Sequence, residues 1–235
     1  MVGRGCALDW GMTPLPDARA TVVAVLTGLP VTVGTPQSPD PMERRFRSAI
    51  WKVPADGPVH AGLEGLAGDA VANRKYHGGP DQALLAYSAD HYPRWREEWG
   101  TSLAFGAFGE NLAVAGIDEE TVCIGDVWAT GGATLQVTAM REPCQTLARR
   151  HGRRGLEKTV WETGRSGWYL RVLTEGPVEA GLPIVLLDRP HPAWTVRRAG
   201  LVRRDRARRR DEARELGALA AISSRWKATL RRDGN

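Results

Sequence analysis

The sequence is poor in cysteine and in uninterrupted apolar stretches, and each shortage removes a class of protein. Only three cysteines occur, Cys6, Cys123 and Cys144; they are odd in number and widely spaced, so neither a disulfide framework nor a cysteine-only zinc site fits. No run approaches the roughly 18 consecutive apolar residues that span a bilayer. The N-terminus has no basic segment followed by an apolar stretch and a small-residue cleavage site, so the expected location is cytoplasmic, with no membrane contact. There is no phosphate-cradling GxxxxGK[ST] loop and no GxGxxG fingerprint, so neither ATP nor NAD is indicated. Internal repeats are absent, and so is low complexity beyond the arginine-rich 203–210.

What is present is enough for a sizeable core: 235 residues, 42% of them hydrophobic. The net charge of +5 hides an asymmetry, because residues 191–235 hold 13 Lys+Arg against 5 Asp+Glu. That shift marks a boundary near Pro190-His191-Pro192. Three segments are expected: a disordered 1–19, a β-rich domain over 20–190 and a basic helical extension over 191–235. The tail's charge suits either a solvated helix face, with Asp211, Glu212 and Glu215 pairing locally, or an acidic or nucleic-acid partner. Nucleic acid is the weaker reading, since stacking aromatics are sparse there and no helix-turn-helix pattern appears.

Up to about residue 190 the apolar runs are short and separated by Gly, Pro or Asp. "ATVVAVLTG" (20–28), "QALLAYS" (82–88), "NLAVAG" (111–116), "TVCIGDVWAT" (121–130), "ATLQVTAM" (133–140), "WYLRVL" (168–173) and "LPIVLLD" (182–188) all read as strands. Gly131-Gly132 reads as a hairpin turn between two of them. Many short strands with few helices predict a mainly β fold, a closed or nearly closed β-barrel. One helix is expected after Ser88, with Tyr92, Trp95 and Trp99 on one face. A second should start at Pro143 and stop at Gly152. In the tail, Leu216, Leu219, Ile222, Trp226 and Leu230 recur at helical spacing, with Ser223-Ser224 as a possible break.

Cys144 lies in "REPCQTL" (141–147). A helix start beneath its sulfur and Arg141 before it favour the thiolate, which suits a nucleophile or a soft-metal ligand; a small apolar filler at a barrel end fits the same facts. Cys123, inside an expected alternating strand, reads as core, and Cys6 has no visible partner. "KYHGGPDQA" (75–83) places His77 before two glycines, either an incidental histidine in a turn or a group beside a ligand. "FGENL" (108–112) likewise offers Glu110 and Asn111 at a strand start. The arginines downstream of Cys144 suit an anionic, phosphate-bearing ligand.

Taken in order, "WKVPADGPV" (51–59), residues 65–95, "FGENL", "IGDVWATG" (124–131), "REPCQTL" and "GWYLRVLTEG" (168–176) resemble the MOSC-domain family, named for the C-terminal domain of molybdenum cofactor sulfurases, and its YiiM-like branch with a helical extension. The likeness spans roughly residues 45–232. It implies a β-barrel that binds the molybdenum cofactor, with Cys144 as the metal ligand. It also implies Lys52, His77, Asn111, Arg141 and Arg171 around the cofactor, and His77 and Glu110 as catalytic groups delivering protons. Asn73 stands where such sequences often carry aspartate. The tail is short for the branch's extension, which leaves three helices or two. The activity implied is a molybdenum-dependent oxidoreductase reducing N-hydroxylated small molecules such as 6-hydroxylaminopurine, a base detoxification fed by a separate electron-donating reductase. The alternative is a sulfur-carrier or cofactor-delivery module using a persulfide on Cys144. Monomer and homodimer both remain open.

Overall fold

The computed structural model describes residues 20–74 and 77–232. The segment 1–19, with Cys6, lies outside the described residues. In chain order the strands and helices are β1 (Thr21–Thr27), β2 (Val31–Val33), β3 (Phe46–Ser48), β4 (Val53–Pro54), β5 (Val59–Gly62), β6 (Gly65–Leu66), β7 (Leu84–Ser88), α1 (Tyr92–Trp99), β8 (Leu112–Ala115), β9 (Val127–Thr130) and β10 (Ala133–Met140). There follow α2 (Gln145–His151), α3 (Leu156–Thr163), β11 (Trp168–Thr174), β12 (Gly176–Val178), β13 (Val185–Asp188), α4 (Val196–Arg204), α5 (Arg210–Ala218) and α6 (Ser224–Arg232).

Eight strands form one curled sheet in the order β13-β9-β10-β11-β7-β8-β1-β4. Its pairs are antiparallel except β7 with β8, whose parallel alignment requires the long crossover that carries α1. The sheet bends far enough for its ends to meet. Val22 N–H donates to Leu182 O at 3.0 Å and Ile184 N–H to Ala20 O at 2.8 Å, so the lead-in to β13 closes on β1. The mainly β, nearly closed barrel expected from the sequence is the fold observed. The Gly131-Gly132 turn joins β9 to β10 as anticipated, with Thr130 opposite Ala133.

Alternation along β10 puts Leu135 and Val137 inside, at 0% exposure. The core they join runs on into the tail, where Trp194, Val196, Leu216, Ile222 and Trp226 are buried with Met140 and Ile124. Gly200 on α4 permits that contact, since a Cβ there would lie 2.3 Å from Met140 Sδ. A second core on the other flank is aromatic. Tyr87 and Phe108 stack at 4.3 Å, Trp95 lies against them, and Leu147 and Ala148 of α2 complete it.

Four expectations about local structure need correction or resolution. Residues 121–130 are not one strand: Asp126 Oδ2 accepts the Cys123 N–H at 2.9 Å and Gly125 takes φ +90°, so Cys123 sits in a tight turn and β9 starts only at Val127. Helix α2 does not begin at Pro143; Cys144 is its N-cap, in extended conformation, and Gln145 is the first helical residue. Ser88 ends β7, and a 3-10 turn over 89–91 intervenes before α1. The tail forms three helices, with residues 219–223 breaking the apolar run before α6.

Candidate functional site

A cleft of about 1000 Å³ opens between the β2–β3 hairpin, the β5–β6 turn, residues 67–74 and 77–79, and the start of α2. One wall is a polar network that ties distant segments together. Lys52 pairs with Asp69, and these side chains are only 7% and 8% exposed. Asp69 also accepts the Gly28 N–H and the Asn111 Nδ2–H, both at 2.8 Å, and Asn111 Oδ1 accepts the Leu85 N–H at 3.1 Å. Asp69 therefore fixes β1, β7 and β8 relative to the loop. Burial draws the Lys52 pKa down, and Asp69 opposes that shift without cancelling it.

Opposite stands Cys144, at the end of the turn that follows β10. Burial alone would push its thiol up. A hydrogen bond with His77, the charges of Arg141 and His77, and the Leu147 N–H outweigh burial and bring it down to about 6. His77 reaches the sulfur from a loop that turns through Gly78 and Gly79, whose φ angles of 80° and 81° suit glycine. Arg141 also lines the cleft and is 4% exposed. Its backbone is pinned by Gly167 O and Ser166 Oγ, while its Nη1 is buried with no hydrogen-bond partner.

Of the residues singled out in the sequence, Lys52, His77, Asn111, Arg141 and Cys144 converge on this cleft. Two do not. Glu110 is fully buried behind the wall, accepting from Tyr92 Oη, from Gly106 N–H at 2.6 Å and from Phe108 N–H at 3.0 Å. It staples the crossover loop and is not placed to deliver protons to the cleft. Arg171 pairs with Asp81 and donates to Gln136 Oε1 at 2.9 Å. Asp81 in turn accepts the Ser224 N–H at 2.7 Å and its hydroxyl at 2.8 Å, so Arg171 belongs to a latch holding α6 against the barrel. Sequence reasoning passed over Asp69, Thr146 and Tyr169, all of which line the cleft. Asp69 lies within the matched residues 65–95, but its partners are far away in sequence. Arg149, one of the arginines downstream of Cys144 expected to suit an anionic ligand, does line the cleft.

Among the described residues no helix is long and apolar enough to cross a membrane, and no group of three or more His, Cys, Asp or Glu could hold a metal ion.

A family model for the MOSC domain matches residues 73–185. The uncharacterized protein YflK of Bacillus subtilis is 38% identical over 202 residues, which cover 86% of this chain and 91% of YflK. A protein named Reductase from Gibberella moniliformis is 42% identical over 154 residues, 63% of this chain but only 27% of that protein. The crystal structure of YiiM from Geobacillus stearothermophilus superposes with a TM-score of 0.76 at 31% identity, covering 91% of this chain and 98% of that one.

Proposed function

The chain belongs to the MOSC-domain family, and we propose that it is a molybdenum-cofactor-dependent reductase of N-hydroxylated compounds, 6-hydroxylaminopurine among them. The observation that carries this reading is Cys144, a soft donor brought down to about 6 and facing a cleft of cofactor size. The residues present fit the group. A lone thiolate suits a metal that arrives with sulfur ligands of its own, and the unpartnered Nη1 of Arg141 suits an anionic oxygen. Bound here, the cofactor would supply two electrons to the substrate, whose N–O oxygen leaves as water.

The chain's own residues then have distinct tasks. Cys144 would ligate the metal. His77 orients the sulfur through its hydrogen bond and carries a proton at the edge of the site. Lys52, held by Asp69, gives the opposite wall a positive charge toward an anionic cofactor, and Asn111 locks that wall in place. Electrons come from a separate flavin- or NAD(P)H-linked reductase. A relative called Reductase in which the matching region is 27% of the length is in keeping with such a division of labour.

The test is metal and pterin analysis of protein made in a molybdenum-competent host, followed by reduction of 6-hydroxylaminopurine to adenine with an artificial donor. Near-stoichiometric molybdenum with turnover is expected. Protein lacking molybdenum would overturn the reading. The acidic thiol at Cys144 equally favours a second reading, a sulfur-carrier module with a persulfide there, and persulfide without molybdenum would select it.

A further inference from the structure

Much of the C-terminal extension is bound to the barrel through residues that do not line the cleft. Val196 N–H donates to Val122 O and Ile124 N–H to Trp194 O, both at 2.8 Å, and Trp226 and Leu230 are buried with the barrel's apolar residues. One attachment is different in kind. The first residue of α6 meets the segment that carries His77. Ser224 donates its N–H at 2.7 Å and its hydroxyl at 2.8 Å to Oδ2 of Asp81, which lies four residues after His77.

The Asp81 carboxylate is held from both sides. Arg171 donates to Oδ1, its Nε at 3.1 Å, and the N–H groups at the start of α6 favour negative charge at Oδ2. Burial would raise the Asp81 pKa, but the two Ser224 hydrogen bonds and Arg171 outweigh it and hold the carboxyl below its ordinary value. The backbone is fixed as well: Thr138 Oγ1 donates to Asp81 O at 2.7 Å, while Thr138 O accepts the Ser223 N–H at 3.1 Å. Strands β10 and β11 and helix α6 thus converge on one residue.

Between His77 and Asp81 the chain reads Gly78-Gly79-Pro80. Both glycines have positive φ, and a Cβ on Gly79 would meet nothing within 4 Å, so packing does not restrain the chain there. Upstream, His77 N–H donates to Asn73 O at 3.0 Å. Downstream, the hold comes from the 3-10 turn over Pro80–Gln82, in which Asp81 is tied to the barrel and to α6. Gly78, Gly79 and Gln82 line the cleft, so displacing this turn displaces the cleft wall. A second observation puts α6 beside the same wall. Burial raises the pKa of the Tyr169 hydroxyl, and the charges of Arg141, Cys144 and Arg225, the last on the first turn of α6, all reach it.

We infer that Asp81 is a positioning residue: clamped between Ser224 of α6 and Arg171 of β11, it fixes the turn that holds His77 against Cys144, which makes the C-terminal helices a working part of the cleft. This goes beyond the proposed function, because it requires the cleft and no metal.

The test uses cofactor-free full-length protein carrying isotope-labelled histidine. The imidazole signal of His77 is assigned by its loss in His77→Ala, and those of His91 and His151, bonded to Glu119 and to Ala107 O, serve as references. Ser224→Asp sets a carboxylate against Asp81 while suiting the start of a helix, so α6 is kept and the clamp is opened. It should shift the His77 signal toward that of free histidine and leave the references in place. Ser224→Thr keeps the hydroxyl and should give the wild-type signal. Leu230→Val, in the tail's buried core, should lower the urea midpoint without moving His77. An unmoved His77 signal in Ser224→Asp, or an equal shift in Leu230→Val, would overturn the inference. Should Ser224→Asp fail to fold, Asp81→Asn, which removes the charge and keeps the size, carries the test with a shift in the same sense. The pH midpoint of Cys144 alkylation gives a second reading. Ser224→Asp should raise it, and adding Ser224→Asp to His77→Ala should raise it no further than His77→Ala alone. Additive shifts would mean that the clamp does not act through His77, and the inference would fall. Absence of molybdenum from protein made in a competent host would remove the proposed function and leave these outcomes unchanged.

Discussion

The turns that carry Cys123 and Cys144 set the same side chain in opposite surroundings. Both lose water. Cys123 is 2% exposed, donates its thiol toward Pro192 O at 3.5 Å and sits beside the Asp126 carboxylate. Burial first, and the negative charge of Asp126 second, push its thiol up. Cys144 is partly buried too, yet His77, Arg141 and the Leu147 N–H overcome burial and pull its thiol down to about 6. The neighbours' charge, and not exposure, decides which sulfur can act as an anion.

The largest contrast should come from replacing each sulfur. Cys144→Ser is expected to lose molybdenum and reduce turnover of 6-hydroxylaminopurine to background, because a hard hydroxyl replaces a soft thiolate. Its unfolding free energy should stay within about 1 kcal/mol of wild type. Turnover by this variant at the wild-type rate would remove the ligand assignment.

The second contrast attacks the carboxylate in the Cys123 turn. Asp126 is fully buried, accepts the Cys123 N–H and takes two hydrogen bonds from Arg189 at 2.8 and 2.7 Å. Asp126→Ala should destabilise the protein by about 2–4 kcal/mol in urea unfolding, by leaving those donors unmatched. It should not alter the alkylation rate of Cys144, and a change there would mean the two turns are coupled.

The pH dependence sharpens the comparison further. Iodoacetamide should modify Cys144 of cofactor-free protein with a rate that rises as pH passes through about 6, while Cys123 stays unmodified in folded protein at neutral pH. Since the folded pKa of Cys144 is depressed from 9.0, its ionisation contributes stability fully above pH 9, and that contribution is lost as pH falls to about 6. His77→Ala should move the alkylation midpoint upward. An unchanged midpoint would leave Arg141 and the Leu147 N–H as the sole causes of the shift.

The smallest effect belongs to Cys123→Ser. The hydroxyl can still reach Pro192 O, so a loss of about 1 kcal/mol in unfolding, with unchanged turnover, is expected.

Much of this was legible in the chain because it is local. Strand alternation, the Gly131-Gly132 turn and the position of Cys144 at a helix start depend on near neighbours. Cys123 was misplaced in a strand because Val122 and Ile124 alternate correctly, while the Asp126 side chain that closes the turn overrides propensity. The cleft wall was harder to see. Asp69 gains its importance from Gly28, Lys52 and Asn111, which no periodicity connects to it. Arg171 was placed near the cofactor by the family resemblance alone; it shares a strand face with Tyr169, which lines the cleft, but two residues further along β11 that face meets Asp81 instead. Glu110 was recognisable as a special carboxylate, but whether it faced a cavity or a loop depended on the crossover of α1.

The seam between residues 20–22 and 181–184 also constrains how the protein is made. A ribosome releases the two edges far apart in time, so the barrel cannot close until residue 184 has emerged, and the earlier strands wait with an open edge. Such a long-range closure carries a loop-entropy cost and predicts slow folding for a domain of this size.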